Sequence, residues 1–257
     1  MAVPGPGRAT RVTYVGHATV LLELDGARLL TDPLLRSRVF HLRRHEPAGA
    51  EALGPIDVVL VSHAHWDHLD VPSLRRVAAG ASVVVPRGAA KHLPRSRFAE
   101  IVELDEDEEF AVAELTITAT HAEHDGRRMP FGDTTPSLGY VVSGSTRTYF
   151  AGDTDLFEEM GALAPLDLAL VPVAGWGPRL PAGHLDPRGA AEALRLLRPR
   201  VAVPIHWGTY SAMTWRQPRP TLDTEPPAEF ARHAAELAPE VDVRVLQPGE
   251  SLELVPA

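Results

Sequence analysis

The stretch SHAHWDHLD, residues 62–70, places four side chains of metal-ligand type, His63, His65, Asp67 and His68, within six residues. His63 and His65 are two positions apart, so on extended backbone both imidazoles leave the same side and can close on one ion. Asp67 and His68 fall in the turn beyond, where the chain reverses and offers a second pair of ligands nearby. Ahead of them, Ile56–Val61 is dominated by β-branched residues, the pattern of a strand buried on both faces. Asp70 is placed to cap a helix that follows. So many polar groups at the edge of a core are costly to bury without a cation to satisfy them. The local reading is therefore strand, metal loop and helix, with enough donors for two ions.

The rest of the composition limits what surrounds this loop. The 257 residues are 44% apolar and 23% charged, ordinary for a globular chain with one large core or two small ones, which excludes disorder and a collagen-like fibre. No apolar run approaches the roughly 20 residues of a membrane span, and no charged head with an apolar stretch opens the sequence. A cytoplasmic location is the default expectation. There is no cysteine, so disulfides, thiolate zinc sites and a cysteine nucleophile are excluded. Any metal must be held by carboxylates and by the unusually numerous histidines, 12 in all. With 34 acidic against 25 basic residues the formal charge is −9, which argues against a nucleic-acid partner. Lys91 is the one lysine.

Residues 1–10 are a Pro/Gly-rich lead-in, expected to be flexible. Strands are predicted at Val12–Val15, Val20–Leu24 and Ala27–Thr31, with a hairpin turn at Asp25-Gly26. Pro33–Pro55 reads as an irregular stretch in which Arg36, Arg38, Arg43 and Arg44 face a single Glu46, a positive patch and candidate substrate loop. Beyond the metal loop, strands are predicted at Val83–Val85 and Ile101–Leu104, with a helical turn or two around 88–92. The acidic run Glu103–Glu109 reads as a solvated turn. Further strands are expected at Leu115–Thr120, Leu138–Val142, Thr148–Phe150, Leu168–Val171 and Val201–Ile205. Asp186-Pro187 starts a helix that runs through about Leu197. Residues 226–238 read as another helix and 242–254 as closing strands. No Gly/Ser linker and no solenoid-period repeat divides the chain, so residues 1–257 read as a single domain.

HxHxDH after a hydrophobic strand resembles the signature of the metallo-β-lactamase superfamily of metal-dependent hydrolases, and the match runs over nearly the whole chain. The resemblance implies an α/β (α+β) fold, an αββα four-layer sandwich with the metals at one edge between two sheets. It also implies a middle histidine, an aspartate bridging the metals and a last histidine. THAEHDGRR, residues 120–128, offers both His121 and His124. The branch this chain is most similar to has its ligand a few residues before an arginine, which matches His124. AGDTD, residues 151–155, carries the family's GDT and supplies Asp153, with Asp155 and Asp133 as weaker alternatives. PIHWGTY, residues 204–210, supplies His206. The implied ligands are His63, His65 and His124 for one ion, Asp67, His68 and His206 for the other, and Asp153 as the bridge. Such nitrogen and oxygen donors suit two Zn²⁺, and Mn²⁺ or Fe also fit.

Two more histidines belong to the resemblance. His17, in GHATVLLEL at residues 16–24, is implied near the metals as a non-ligand that orients a ligand or touches substrate, with a buried structural role equally open. His184, in GHLDP at residues 183–187, precedes a helix N-terminus and is assigned to substrate or leaving-group contact. The HLDP element and the closing IHWGT resemble the branch containing N-acylphosphatidylethanolamine phospholipase D and L-ascorbate-6-phosphate lactonase. Histidines 41, 45, 92 and 233 read as surface residues.

The implied activity is metal-dependent hydrolysis of an anionic phosphodiester, or of a lactone or ester, by a metal-activated hydroxide. Asp67 would hold the attacking water and His184 would serve the leaving oxygen. Arg36, Arg38, Arg43, Arg44, Arg127 and Arg128 are candidates to meet an anionic group, and solvated loop charges are the ordinary alternative. Trp66, Phe131, Trp176, Trp207 and Tyr210 are candidates for an apolar wall, with core packing as the alternative. The expected partner is a small molecule, phosphorylated or lipid-like. A nuclease of the same superfamily is disfavoured by the acidic charge and the lack of room for an RNA-clamping insert. A non-catalytic metal-binding protein of this fold has no chemical reason to keep seven ligands.

Overall fold

Period-two alternation sorts the strand side chains between two cores. The computed structural model describes residues 9–45, 53–94, 96–128, 134–175, 180–212 and 220–255. The first half runs β1 (Thr10–Gly16), β2 (Thr19–Leu24), β3 (Ala27–Thr31), β4 (Arg38–Val39), β5 (Leu42–Arg44), β6 (Val58–Leu60), α1 (Val71–Val77), β7 (Ser82–Pro86) and β8 (Glu100–Leu104). Next come β9 (Glu109–Val112), β10 (Leu115–His121), β11 (Leu138–Ser143), β12 (Arg147–Phe150), β13 (Leu166–Pro172) and α2 (Pro187–Leu197). The chain closes with β14 (Pro199–Ile205), β15 (Tyr210–Ala212), α3 (Pro220–Leu237), β16 (Asp242–Val243) and β17 (Ser251–Leu254).

These strands form two seven-stranded sheets, ordered β17-β1-β2-β3-β6-β7-β8 and β16-β14-β13-β12-β11-β10-β9, and a small third sheet β15-β5-β4. Leu29, Val58, Leu60 and Val84 of the first sheet pack in one core with Ile117, Tyr140 and Tyr149 of the second. Their neighbours Leu30, Val59, Val61, Val83 and Val85 join Leu74 and Ala78 of the α1 segment in a separate outer core. Both faces of β6 are thus covered, which is why its sequence is apolar without a polar alternation. On the far side, Ala190, Leu194 and Leu197 of α2 and Phe230 and Ala234 of α3 pack against the second sheet. The result is the αββα sandwich, helix on sheet on sheet on helix.

Helix starts follow their local signals. Asp70 caps α1 by accepting from the Ser73 amide at 3.0 Å, and Asp186 caps α2 by accepting from the Gly189 amide at 2.7 Å. Elsewhere long-range pairing extends what the sequence suggests. β1 begins at Thr10, inside the predicted lead-in, because Thr10 pairs with Leu254 and its hydroxyl bonds that of Thr146 at 2.7 Å. The stretch expected to be irregular contains the β4–β5 hairpin, ordered by pairing Arg44 with Tyr210. Helix α3 starts at Pro220, ahead of the expected start at 226, and passes through Pro226-Pro227. Residues 1–8, Glu46, Phe131, Asp133 and Trp176 lie outside the described residues.

Candidate metal centre

β3, β6, β7 and β8 are parallel, as are β12, β13, β14 and β16, and ligands of parallel sheets gather beyond the carboxyl ends of the strands. β6 exits into the 62–70 loop, β10 into His124, β12 into Asp153 and β14 into His206, while β1–β2 turns at His17. The two sheets meet at Ser62. Its carbonyl accepts from the Leu138 amide at 2.9 Å, and a Cβ on Gly152 would stand 2.5 Å from its own. Gly152 also has φ +63, so both its conformation and this close approach call for glycine next to Asp153.

The donor atoms converge in overlapping groups. Those of His63, His65 and His124 lie within 4.8 Å of one another, and so do those of His17, Asp67, His68 and His206. Asp153 stands between them, with Oδ2 3.3 Å from His68 Nε2 and Oδ1 3.4 Å from His206 Nε2. A third group of the same radius joins His124, Asp153 and His184. His17 Nε2 lies 3.3 Å from Asp67 Oδ2.

Behind this cluster, most of the rings are tied by their outer nitrogen, which leaves the inner one for an ion. His68 Nδ1–H donates to Asp32 Oδ2 at 2.6 Å, His124 Nδ1–H to the Gly183 carbonyl at 2.7 Å and His206 Nδ1–H to the Ala174 carbonyl at 2.9 Å. The Ser62 hydroxyl donates to Asp32 Oδ2 at 2.5 Å and therefore accepts from His63 Nδ1–H at 2.9 Å. Asp32 also accepts from the Ser62 amide at 2.7 Å. His65 presents Nδ1 instead, 3.2 Å from His124 Nε2, as two nitrogens aimed at a common point would be. Asp32 and Ser62 are the residues that reading the sequence missed. Their available signals were the aspartate directly after β3 and the hydroxyl directly before the first histidine.

Charge divides the donors. Burial lowers the imidazoles of His63, His65 and His206, takes His124 down to about 4 and His17 down to about 3. These rings are neutral at pH 7. His68 goes the other way: burial opposes its charge, but Asp153, Asp67 and Asp32 outweigh burial and hold it well above the ordinary range. Burial likewise opposes charge on Asp67 and Asp153. His68 and His17 around the first, and His206 and His68 around the second, keep both carboxyls well below the usual range. For His184 burial is outweighed by the hydrogen bond and charge of Asp153, and the shift is upward.

These residues fit divalent cations. His63 Nε2 and Asp153 Oδ1 are buried and make no hydrogen bond among the described residues, a costly arrangement unless a cation takes their lone pairs. With no sulfur donor, the set suits Zn²⁺, Mn²⁺ or Fe by chemistry alone.

Other candidates fall outside the cluster or brace it. His121 is exposed and paired with Glu106 and Glu123, at 3.1 and 3.4 Å. Asp155 turns its carboxylate to the Leu156 amide at 2.8 Å. His41, His45, His92 and His233 join none of the donor groups. Three of the candidate arginines hold the scaffold. Arg36 pairs with Asp70 at 2.8 Å, buried Arg44 donates to the Leu34 and Val15 carbonyls, and Arg128 donates to those of Ala64 and Leu69. Trp207 is buried against Tyr14, and Tyr210 is buried with its hydroxyl on the Arg36 carbonyl at 2.6 Å, so neither walls an open pocket. Trp66 alone of the described aromatic candidates stays exposed.

Known proteins share this arrangement of sequence and fold. The family described as beta-lactamase superfamily domain matches residues 27–207. An uncharacterized protein of Mycobacterium tuberculosis is 35% identical over 238 residues, 82% of this chain and 63% of its own, so the chain spans less than two thirds of that relative. A metal-dependent hydrolase of Methanopyrus kandleri is 34% identical over 253 residues, 95% of this chain and 99% of its own. N-acyl-phosphatidylethanolamine-hydrolyzing phospholipase D 1 of Caenorhabditis elegans is 34% identical over 242 residues, 82% of this chain and 68% of its own. A solved metallo hydrolase of Ignicoccus hospitalis has the same fold, with a TM-score of 0.69 at 24% identity over 96% of this chain and 98% of its own. Among the described residues, no helix is long and apolar enough to cross a membrane.

Proposed function

The chain belongs to the metallo-β-lactamase superfamily, and from that premise we propose that it is a binuclear metal-dependent hydrolase acting on an anionic phosphodiester or on a lactone or ester. The observation that carries this reading is the convergence of buried donors from both sheets, with their inner nitrogens turned toward one another and their outer nitrogens tied to Asp32, Ser62, Gly183 and Ala174. The Caenorhabditis relative is named for hydrolysing a phosphodiester, which favours that class here.

His63, His65 and His124 would hold one cation and Asp67, His68 and His206 the other, with Asp153 placed between the two groups. Bound divalent ions supply Lewis acidity and acidify a coordinated water to near-neutral pKa. Asp67, braced by His17 at 3.3 Å, orients the attacking water by a hydrogen bond and takes up its proton. His184 stands at the half-buried mouth, 3.5 Å from Asp153, within reach of a leaving oxygen to which it hands a proton. No serine or cysteine nucleophile is required.

Chelated protein restored with Zn²⁺, Mn²⁺ or Fe²⁺ and assayed on bis-p-nitrophenyl phosphate, generic lactones and generic esters tests this directly. The expected result is metal-dependent turnover on at least one class. Phosphodiester cleavage without lactone opening would select the phosphodiesterase form. Stoichiometric metal with no turnover on any class would replace the hydrolase reading with a metal-binding protein of the same fold.

A further inference from the structure

Five large hydrophobic residues are exposed among the described residues, and three, Phe40, Trp66 and Leu156, adjoin the donor segments. Trp66 lies between His65 and Asp67, and Leu156 follows Asp153 by three positions. Phe40 sits at the tip of the β4–β5 hairpin, 65% exposed, and meets the 38%-exposed Trp66 edge-on with ring centroids 5.3 Å apart. Its backbone has φ +47. An aromatic residue in the left-handed region, solvated, at a hairpin tip, is unfavourable in both backbone and side chain, and a glycine or asparagine would serve the turn better.

The indole it touches is held rigid. The Arg128 guanidinium stacks 3.8 Å over the Trp66 ring and is itself fixed by donating to the Ala64 and Leu69 carbonyls at 2.6 and 3.1 Å. An immobilised, exposed aromatic surface loses little entropy when it binds. On the same hairpin Arg38 pairs across the strands with Arg43, both exposed, and like charges directly opposite are unfavourable unless an anion is near.

From these features we propose that Phe40 and Trp66 form an aromatic subsite that grips the apolar tail of an anionic substrate at the mouth of the metal centre, with Arg38 and Arg43 supplying the attraction for its head. This rests on the hydrolase reading for the position of the scissile bond, but the subsite can be tested without turnover.

Calorimetric binding of ethyl-, hexyl- and decylphosphonate to the metal-loaded protein measures the tail's contribution. Affinity is expected to rise with chain length, by about threefold per added methylene until the aromatic pair is covered. Phe40→Gly removes the ring and suits the positive φ, so its melting temperature should hold or rise while the chain-length dependence collapses. Phe40→Trp should retain that dependence. Arg43→Ser should weaken all three ligands by a common factor and leave the dependence on length intact. Unchanged chain-length dependence in Phe40→Gly, or none in the wild type, would overturn the proposal. Chain-length-dependent binding without hydrolysis of any substrate would sink the hydrolase reading and leave the subsite standing, whereas turnover without that dependence would do the reverse.

Discussion

The two groups of donors differ in charge as much as in place. His63, His65 and His124 offer three nitrogens and no carboxylate, and burial keeps each ring neutral. The facing group mixes Asp67 with His68, His206 and His17, and three carboxylates hold His68 in its charged form when no cation is present. The nitrogen half is therefore ready to ligate at pH 7. In the mixed half a cation must replace the proton on His68, which makes its affinity more dependent on pH. The difference teaches that donors gathered in one cluster can still stand in opposite protonation states before any cation arrives.

The strongest way to break the comparison is to remove what joins the halves. Asp153→Ala should empty both, with metal content falling toward zero by elemental analysis and turnover falling on the order of a thousandfold. Retention of one full equivalent of metal would mean that the halves are independent. Asp67→Asn should be more selective. It is expected to keep the fold and the ion at His63, His65 and His124, and to lose roughly a hundredfold or more in kcat with KM little changed.

Asp32 sharpens the contrast further, because it bonds His68 directly and reaches His63 only through Ser62. Asp32→Asn should weaken the mixed half by about 10 to 100-fold in metal affinity, and Ser62→Ala should affect mainly the nitrogen half. Competition with a chromophoric chelator, read as two affinities, distinguishes these outcomes. Equal weakening of both halves by both variants would erase the distinction.

The smallest effects lie beneath the donors, where each half rests on one buried tyrosine. Tyr140 donates to the Val61 carbonyl at 2.8 Å, just before the nitrogen half, and Tyr14 donates to the Trp207 carbonyl at 2.9 Å, just after His206. Tyr140→Phe leaves the Val61 carbonyl without this donor, whereas in Tyr14→Phe the Trp207 carbonyl keeps the Thr209 hydroxyl at 3.0 Å, so the first should lose about 1–3 kcal/mol and the second about 0.5–1.5 kcal/mol in denaturant unfolding. Burial raises both phenols above their ordinary value. The unfolded chain releases these protons near pH ~10, whereas the folded protein retains them. Their contribution is thus complete below that pH and is lost as pH rises through the folded values, so the melting temperature should drop on the alkaline side. A double Tyr→Phe variant should drop less steeply.

Much of the fold was legible because its signals are local. The β-branched run at β6, the aspartate caps at Asp70 and Asp186 and the Asp25-Gly26 hairpin are each written within a few residues. What depended on distant partners was not. The start of β1 at Thr10 is set by Leu254, and the order in the 38–44 hairpin by Tyr210. The donors His63, His65, Asp67 and His68 were readable from spacing, but His124, Asp153 and His206 entered through the family resemblance, since no spacing links them. Asp32 was passed over because a lone aspartate after a strand has no periodicity to mark it. Among the arginines, read either as candidates for an anion or as solvated loop charges, Arg36, Arg44 and Arg128 are spent in space on carbonyls and Asp70, which no local pattern announces.

The seam at Ser62, where Gly152 allows one sheet to press against the other, bears on stability as well as on the site. A cation held by donors from both sides of that seam would act as a clasp between the two sheets. Metal supply would then be a condition of durability as well as of chemistry.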